Sequence, residues 1–327
     1  MRQVYLFSPL SLTYRRSSLC SHSCTGQSFN RPTTSACVAW NPVASTFANS
    51  TTIGTSPSTV FITVNNSVFV TSTDLNRIVM WSSAPAVSPT ILASTLTRPR
   101  GLFVASTGKI YVDNGLAFGR VETWTSDGTT SLNSVNVSVN SSCFGLFLVE
   151  PGSLYCSLGS LNRVVTVSLS NLSTTSALVA GTGENGSSSN TLSDPHGIFV
   201  DAALDLYVAD SGNNRIQLFP RGASNATTVA GDGAPGTISL SRPRAVVVDV
   251  VDVLFIADTM NHRIVASGPG RFRCLVGCTG TAGSAANELN TPASLSFDRD
   301  GHLFVVDGGN ARIQKFDMQT ISCRKLR

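Results

Sequence analysis

The segment 194–219 contains three short apolar runs separated by polar turns, and similar segments recur along the chain. Its runs are Ile198–Asp201, Leu206–Asp210 and Arg215–Phe219. Apolar runs of this length, bounded by Gly, Asn and Asp, predict three β-strands joined by tight turns. A sheet this small cannot bury both of its faces, so each copy needs neighbouring copies to cover it. The segment therefore predicts a protein built from repeated β-sheets.

The copies align on an arginine that opens the third strand. It recurs every 43 to 52 residues, at Arg77, Arg120, Arg163, Arg215, Arg263 and Arg312. This spacing fits one four-stranded propeller blade and its connection. A fourth, outer strand fits between successive copies, for example at Thr227–Ala230. We predict an all-β protein, a six-bladed β-propeller of four-stranded antiparallel blades that covers residues 37–327.

The N-terminal part of the chain predicts how the ring closes. Ser45–Ala48 has the outer-strand pattern but no earlier blade to join. An open ring would leave an exposed sheet edge, so we expect this strand to join the last blade beside Ile313–Phe316. Residues 1–36 have no strand periodicity and are predicted to form a leader or a poorly ordered segment.

The repeat pattern resembles that of the NHL-repeat family of six-bladed β-propellers. The fourth copy carries Pro195-His-Gly-Ile-Phe-Val-Asp201, then Leu206-Tyr-Val-Ala-Asp210, then an Asn-Asn-Arg-Ile-Gln run that contains Arg215. The resemblance spans roughly residues 37–327 and is sharpest in the last three copies. In these copies an aspartate stands five residues before the arginine, at Asp210, Asp258 and Asp307. The first three copies are degenerate, because Leu75 and Leu161 replace an asparagine and the turn 114–119 is longer.

Composition and sequons favour an extracellular or secretory-lumen protein. The chain is 42% hydrophobic and 13% charged, which is typical of a well-packed globular protein, and its net charge of +4 neither demands nor excludes an anionic partner. Eight cysteines suit an oxidising compartment. No run is long enough for a transmembrane helix. Seven asparagines begin possible glycosylation triplets: Asn49, Asn65, Asn136, Asn140, Asn171, Asn185 and Asn225.

The cysteine positions predict structural disulfides. Cys143 and Cys156 flank one predicted hairpin, within disulfide reach. Cys37 and Cys323 lie at the two ends of the ring, where a bond would lock its closure. Cys274 and Cys278 would need a turn between them to meet, and Cys20 and Cys24 have the same spacing. Zinc binding fits these pairs poorly, because their gap is longer than in zinc knuckles.

The loops that enter the first strands of the blades predict a ligand-binding mouth at the central channel. The equivalent positions there are Ser58, Arg100, Phe144, His196, Arg244 and Ala293. Two arginines and a histidine would form a basic funnel for an anionic or carboxylate group. The candidate ligand-binding residues are Arg100, His196, Arg244, Asp210, Asp258 and Asp307. The structural alternative is that the arginines cap turns or pair with the aspartates at the ends of the second strands.

These residues favour a non-catalytic extracellular scaffold that presents its loop face to a protein, peptide or glycan. One alternative is a metal-dependent lyase or hydrolase, because the chain also resembles the amidating-lyase propellers. Those enzymes hold zinc with histidines, however, and only His196 stands at a comparable position here. The other alternative is a ubiquitin-ligase-type NHL propeller that binds protein or RNA. We expect no cofactor and no central metal, and nucleic acid is a poor candidate because few aromatic residues are available to stack bases.

Overall fold

The computed structural model describes residues 29–31, 38–83, 88–93, 95–115, 119–137, 141–150, 152–170, 175–234, 236–268 and 271–320. In chain order its strands are β1 (Val38–Trp40), β2 (Ser45–Ala48), β3 (Pro57–Ile62), β4 (Val68–Ser72), β5 (Arg77–Trp81), β6 (Thr90–Leu92), β7 (Leu102–Val104), β8 (Ile110–Asp113), β9 (Arg120–Trp124), β10 (Ser131–Asn136), β11 (Cys143–Val149), β12 (Ser153–Leu158), β13 (Arg163–Ser168), β14 (Ala177–Ala180), β15 (Pro195–Val200), β16 (Leu206–Asp210), β17 (Arg215–Phe219), β18 (Thr227–Gly231), β19 (Ala245–Val248), β20 (Leu254–Asp258), β21 (Arg263–Gly268), β22 (Arg271–Val276), β23 (Pro292–Phe297), β24 (Leu303–Asp307), β25 (Arg312–Phe316) and β26 (Met318–Thr320). The helices are short: α1 (Ser50–Ile53) and single 3-10 turns at Gly159–Leu161, Ser211–Asn213, Thr259–Asn261 and Gly308–Asn310. None of the helices in these ranges is long and apolar enough to cross a membrane.

The strands form six four-stranded antiparallel blades arranged in a ring. Blades 1 to 5 each use four consecutive strands, beginning with β3, β7, β11, β15 and β19, and blade 6 contains β23, β24, β25 and β2. The first strand of every blade contacts the first strand of the next, so these six inner strands surround a central channel. The second strands β4, β8, β16 and β24 are buried along their whole length, because neighbouring blades cover both faces. The predicted six-bladed all-β propeller is confirmed.

The N-terminal strand closes the ring, as predicted. β2 is the outer strand of blade 6 and pairs antiparallel with β25, with Thr46 opposite Gln314 and Ala48 opposite Ile313. The strands β1 and β26 form an additional two-stranded sheet beside this closure. Trp40 in β1 is buried against Phe255 and Phe297 and donates its indole N–H to the Gly301 carbonyl at 2.9 Å. The two ends of the ring are thus joined by strand pairing and by apolar packing.

Two disulfides are present among the described residues. Cys143 and Cys156 join the first two strands of blade 3 with a Cα–Cα distance of 5.2 Å. Cys274 and Cys278 are joined where β22 ends, because the chain turns at Gly277, which has a φ of +69°. The pair Cys37 and Cys323 lies outside the described residues, as do Cys20 and Cys24.

Five of the seven candidate glycosylation sites lie within the described residues, and all five are exposed: Asn49, Asn65, Asn136, Asn185 and Asn225. The side chain of Asn49 also caps α1 by accepting the N–H of Thr51. Asn140 and Asn171 lie outside the described residues. The exposed sites are accessible to glycosylation, which stays a prediction.

The segment Phe29–Arg31 lies inside the channel, although residues 1–36 were predicted to form a leader. The Phe29 ring packs edge-on against Phe103, Phe147 and Phe199, with centroids 5.5 to 6.1 Å apart. The Asn30 amide donates to the carbonyls of Thr63 and Phe297, at 2.9 and 3.1 Å. An aromatic ring with two polar neighbours carries no strand periodicity, so sequence patterns did not reveal this placement.

Candidate functional site

One end of the channel, here called the mouth, opens into a cavity of about 350 Å³. The second residue of four inner strands and one residue of the loop that enters each of the other two line this cavity: Ser58, Phe144, His196 and Ala293 in the strands, and Arg100 and Arg244 in the loops. These are the six positions that the repeat alignment placed at the mouth. They meet because all six inner strands begin at the same end of the ring.

Backbone contacts between neighbouring blades hold the mouth residues in place. The Arg100 carbonyl accepts the Thr71 hydroxyl at 3.0 Å, and the His196 carbonyl accepts the Ser157 hydroxyl. The Arg244 carbonyl accepts the Gly197 N–H at 2.9 Å. A Cβ atom at position 197 would lie 2.7 Å from that carbonyl oxygen, so the close approach requires glycine. The mouth side chains therefore project from a rigid frame.

Three mouth side chains stack around the rim. The Arg100 guanidinium carbon lies 4.5 Å from the centre of the Phe144 ring. The Phe144 ring in turn lies 4.3 Å from the His196 ring, centre to centre. Cation–π and ring contacts of this kind restrict side-chain rotation. The arginine is thus orientated before any ligand arrives.

Asp194 also lines the cavity, although sequence reasoning did not select it as a site residue. Its carboxylate lies 2.7 Å from Nη2 of Arg242 and 3.4 Å from Nε2 of His196. The hydrogen bond from His196 holds the pKa of Asp194 below its usual range, and nearby arginines add to the effect. Burial lowers the pKa of His196, so this side chain is neutral at pH 7. The sequence did contain a signal for Asp194. It directly precedes the proline of its blade, as Arg98 and Arg242 do in theirs.

Arg100 and Arg244 are the arginines of the mouth that lack hydrogen-bond partners among the described residues. The Nε atom of each is buried without a hydrogen-bond partner among the described residues. Burial lowers the pKa of both guanidinium groups, which still remain protonated at neutral pH. The Asp194 carboxylate is already paired with Arg242 and lies within 3.4 Å of the His196 ring nitrogen Nε2. The mouth therefore carries excess positive charge and unused N–H donors.

Asp113 is a second buried acid near Arg100. Its carboxylate accepts the N–H groups of Cys143 and Gly115 at 2.9 and 3.1 Å. Burial nevertheless raises the pKa of Asp113 to about 7, because these N–H groups and the Arg100 charge only partly offset the lost hydration. The charge next to Arg100 consequently varies near neutral pH.

The three acids among the predicted ligand-binding residues, Asp210, Asp258 and Asp307, do not line the cavity. Each is completely buried within its blade and accepts Nε–H of the arginine opposite it on the third strand, at 2.7 to 2.8 Å. Each also accepts a backbone N–H from the loop that leads into its own blade. These carboxylates are therefore structural, and the partners that they use are the repeat arginines, not the arginines of the mouth.

Within the described residues, one group of three could hold a metal ion: Asp298, Asp300 and His302. It lies in a hairpin turn where the inner strand of blade 6 ends, not at the mouth. Asp298 accepts the N–H groups of Asp300 and His302, and Asp201 accepts equivalent N–H groups in blade 4. The three side chains come together because blades 4 and 6 use the same kind of aspartate-centred turn at this position.

Comparison with known sequences agrees with the repeat assignment. The NHL repeat model matches residues 192–219 and 289–316, which are the cores of blades 4 and 6. Two segments of the chain thus match the NHL repeat, and its fold is a six-bladed β-propeller. Comparison with curated proteins finds no significant match.

Solved structures share the propeller fold at low sequence identity. A protein of unknown function from Bacteroides thetaiotaomicron superposes with a TM-score of 0.68 and 13% identity, covering 86% of this chain and 76% of that one. An auxiliary nutrient binding protein from Bacteroides ovatus gives 0.62 and 14%, covering 90% and 76%. A catalytically inactive virginiamycin B lyase from Staphylococcus aureus, crystallised with quinupristin, gives 0.58 and 13%, covering 85% and 99%. The propeller fold thus occurs in both binding proteins and enzymes.

Proposed function

We propose that this NHL propeller is a non-catalytic binding protein that holds an anionic group of a protein, peptide or glycan in the mouth of its central channel. The observation that carries the proposal is that the side chains of Arg100 and Arg244 line the cavity while neither guanidinium makes a hydrogen bond to any described residue. A half-buried guanidinium that makes no hydrogen bond loses part of its hydration without full compensation. A carboxylate at the mouth would supply charge-assisted hydrogen bonds to both arginines.

The contacts of His196 fit a wall residue of a binding site. Nε2 of His196 faces Asp194, and the Phe144 ring stacks on the imidazole. The remaining acid of the described mouth, Asp194, is engaged with Arg242. These contacts suit an orientated, neutral wall residue.

A lyase or hydrolase is the second candidate, favoured by the contact between Asp194 and the neutral His196. The likeness to virginiamycin B lyase supports it at the level of the fold. In this alternative Asp194 would orient His196 as a base. Turnover of a lactone or cyclic-peptide substrate that is lost in His196→Asn would favour the enzyme over the binding protein.

An extracellular or secretory-lumen location accompanies the proposal. Two disulfides support it, because such bonds persist mainly in oxidising compartments. The five exposed glycosylation triplets support it further. Intact mass of the secreted protein before and after deglycosylation and reduction tests this part.

The binding proposal is tested by titrating acetate, phenylacetate and glucuronate, with phenylacetamide as the uncharged control, in a calorimeter. The variant Arg100→Ala/Arg244→Ala should weaken binding of the anionic probes at least tenfold, since each charge-assisted bond contributes about 1.5–3 kcal/mol. A matched variant, Arg221→Ala/Arg299→Ala, removes two exposed charges away from the cavity lining and should bind as the native protein does. Equal affinity of the two double variants, or no binding of any anionic probe, would overturn the proposal.

A further inference from the structure

The cavity is closed at the end opposite the mouth by the protein's own N-terminal segment. Phe29 fills the centre of the channel and Asn30 bridges blades 1 and 6. Arg31 donates to the carbonyls of Val248 and Asp249 in blade 5, and its guanidinium lies 5.5 Å from the Phe199 ring. Phe29 and Asn30 also line the cavity itself. The channel is therefore a blind pocket, entered at the mouth and floored by Phe29.

The walls above this floor are mainly apolar on four blades. Phe61, Phe103, Phe147 and Phe199 stand at the same inner-strand position of blades 1 to 4 and form a continuous arc with centroids 4.9 to 5.3 Å apart. The Phe29 ring lies inside this arc. The four rings are buried against one another and against Phe29 and expose little surface to the cavity, whose cationic lining residues, Arg100 and Arg244, both lie at the mouth.

Two hydroxyl groups of the remaining wall already accept backbone N–H groups of blade 1. Ser294 accepts the N–H of Val60 at 3.4 Å, and Ser296 accepts the N–H of Ile62 at 3.2 Å. A sugar ring placed here would bury several hydroxyl groups against phenylalanine with few partners, which is unfavourable. An apolar side chain would lose no hydrogen bonds in the same place.

We propose that the pocket binds the free C-terminus of a peptide whose last residue is apolar. The terminal carboxylate binds Arg100 and Arg244, the last side chain lies in the chamber between the mouth and Phe29, and the rest of the peptide leaves through the mouth. A C-terminal residue carries its carboxylate and its side chain on one carbon, which matches a cationic rim directly above an apolar chamber. A cavity of about 350 Å³ is at the small end for ligand sites and suits one or two residues. This inference rests on the proposed function and narrows its ligand class.

The test uses short peptides labelled with fluorescein at the N-terminus and measured by fluorescence polarisation. Gly-Gly-Ser-Phe as a free acid should bind, and its C-terminal amide should bind roughly 10- to 100-fold more weakly, because the charge-assisted bonds to both arginines are lost. Replacing the last Phe by Asp should weaken binding by a similar factor. Arg100→Ala/Arg244→Ala should remove the preference for acid over amide.

The floor residue provides a second, independent readout. Phe29→Leu and Phe29→Ala deepen the pocket, so the relative affinity should shift from peptides that end in Phe towards peptides that end in Trp. Phe47→Ala is the matched control, since Phe47 packs on Trp81 and Phe304 outside the cavity and its loss should leave the preference unchanged. The Leu variant keeps the readout available if the Ala variant does not fold.

The outcomes separate this inference from the proposed function. Equal binding of acid and amide, or binding of glucuronate with no peptide binding, overturns the C-terminal inference and leaves an anion-binding mouth. Binding of phenylacetate to the mouth together with failure of every peptide has the same meaning. Failure of all anionic probes overturns both.

Discussion

The Nδ1 atom of His262 in blade 5 accepts the backbone N–H of Thr291 in the loop that leads into blade 6, at 3.1 Å. Asparagine side chains make the same contact between other blades: Asn76 accepts from Arg98, Asn162 from Asp194 and Asn214 from Arg242. All four acceptor residues have a positive φ, between 49° and 54°. His262 therefore replaces an asparagine in a contact that links four of the six blades to the next and positions the loops of the mouth.

His262→Asn should keep this contact and change the stability little, because asparagine tolerates a positive φ and offers an acceptor oxygen. His262→Ala should lower the free energy of unfolding by about 1 kcal/mol, since the Thr291 N–H loses its partner. Urea denaturation of both variants checks this. An equal loss of unfolding free energy in the two variants would mean that the histidine ring, and not its acceptor atom, provides the stabilisation.

The buried pairs of blades 4 to 6 predict blade-specific stability effects. Arg263→Met leaves the fully buried Asp258 carboxylate without the Nε–H that lies 2.8 Å away, and should cost about 3–5 kcal/mol. Arg163→Met is the matched control in blade 3. There Leu158 stands opposite Arg163. The Nε atom of Arg163 has no hydrogen-bond partner among the described residues. The control should lose far less stability in the same denaturation experiment.

Asp113 predicts a pH dependence of stability. Its pKa in the folded protein is raised to about 7, above the ordinary value of 3.8. The contribution of Asp113 to the free energy of unfolding is thus complete below pH 4 and is lost as the pH rises through 7. It amounts to at most about 4 kcal/mol. Relative to the native protein, Asp113→Asn should become progressively more stable between pH 4 and pH 8. A difference in unfolding free energy that stays constant over this range would contradict the prediction.

The two disulfides should differ in their resistance to reduction. Cys143 and Cys156 are both fully buried, whereas Cys278 is exposed. Thiol–disulfide exchange requires access of the attacking thiolate, so dithiothreitol should reduce Cys274–Cys278 first under native conditions. Alkylation followed by peptide mass spectrometry measures the order. Simultaneous reduction of both bonds would show that blade 3 opens under these conditions.

Removing the buried disulfide should also weaken the fold. Cys143→Ala/Cys156→Ala opens a loop with a sequence separation of 13, for which chain entropy gives about 3 kcal/mol. The variant Cys274→Ala/Cys278→Ala, whose separation is only 4, should lose less. The midpoints of thermal unfolding of the two double variants test this difference.

The sequence alone determined the blade count, the ring closure and the positions that form the mouth. Each blade is a local hairpin series in which strand and turn residues lie close along the chain. A side chain such as Arg100 or Arg244 therefore keeps a fixed place relative to its strand, and equivalent places meet when the ring closes. The same reasoning failed for Asp210, whose partner Arg215 lies in the same blade, because a repeated acid is equally compatible with a pocket and with an ion pair.

Only the tertiary structure decided that Phe29 floors the channel, that Asp194 shares its charge with Arg242, and that Asp113 binds the N–H of Cys143 in the next blade. These contacts join residues of different blades, or of the ring and the N-terminal segment. They depend on how the blades pack around the channel, since local strand and turn preferences act only within a blade and carry no information about what fills the space between blades.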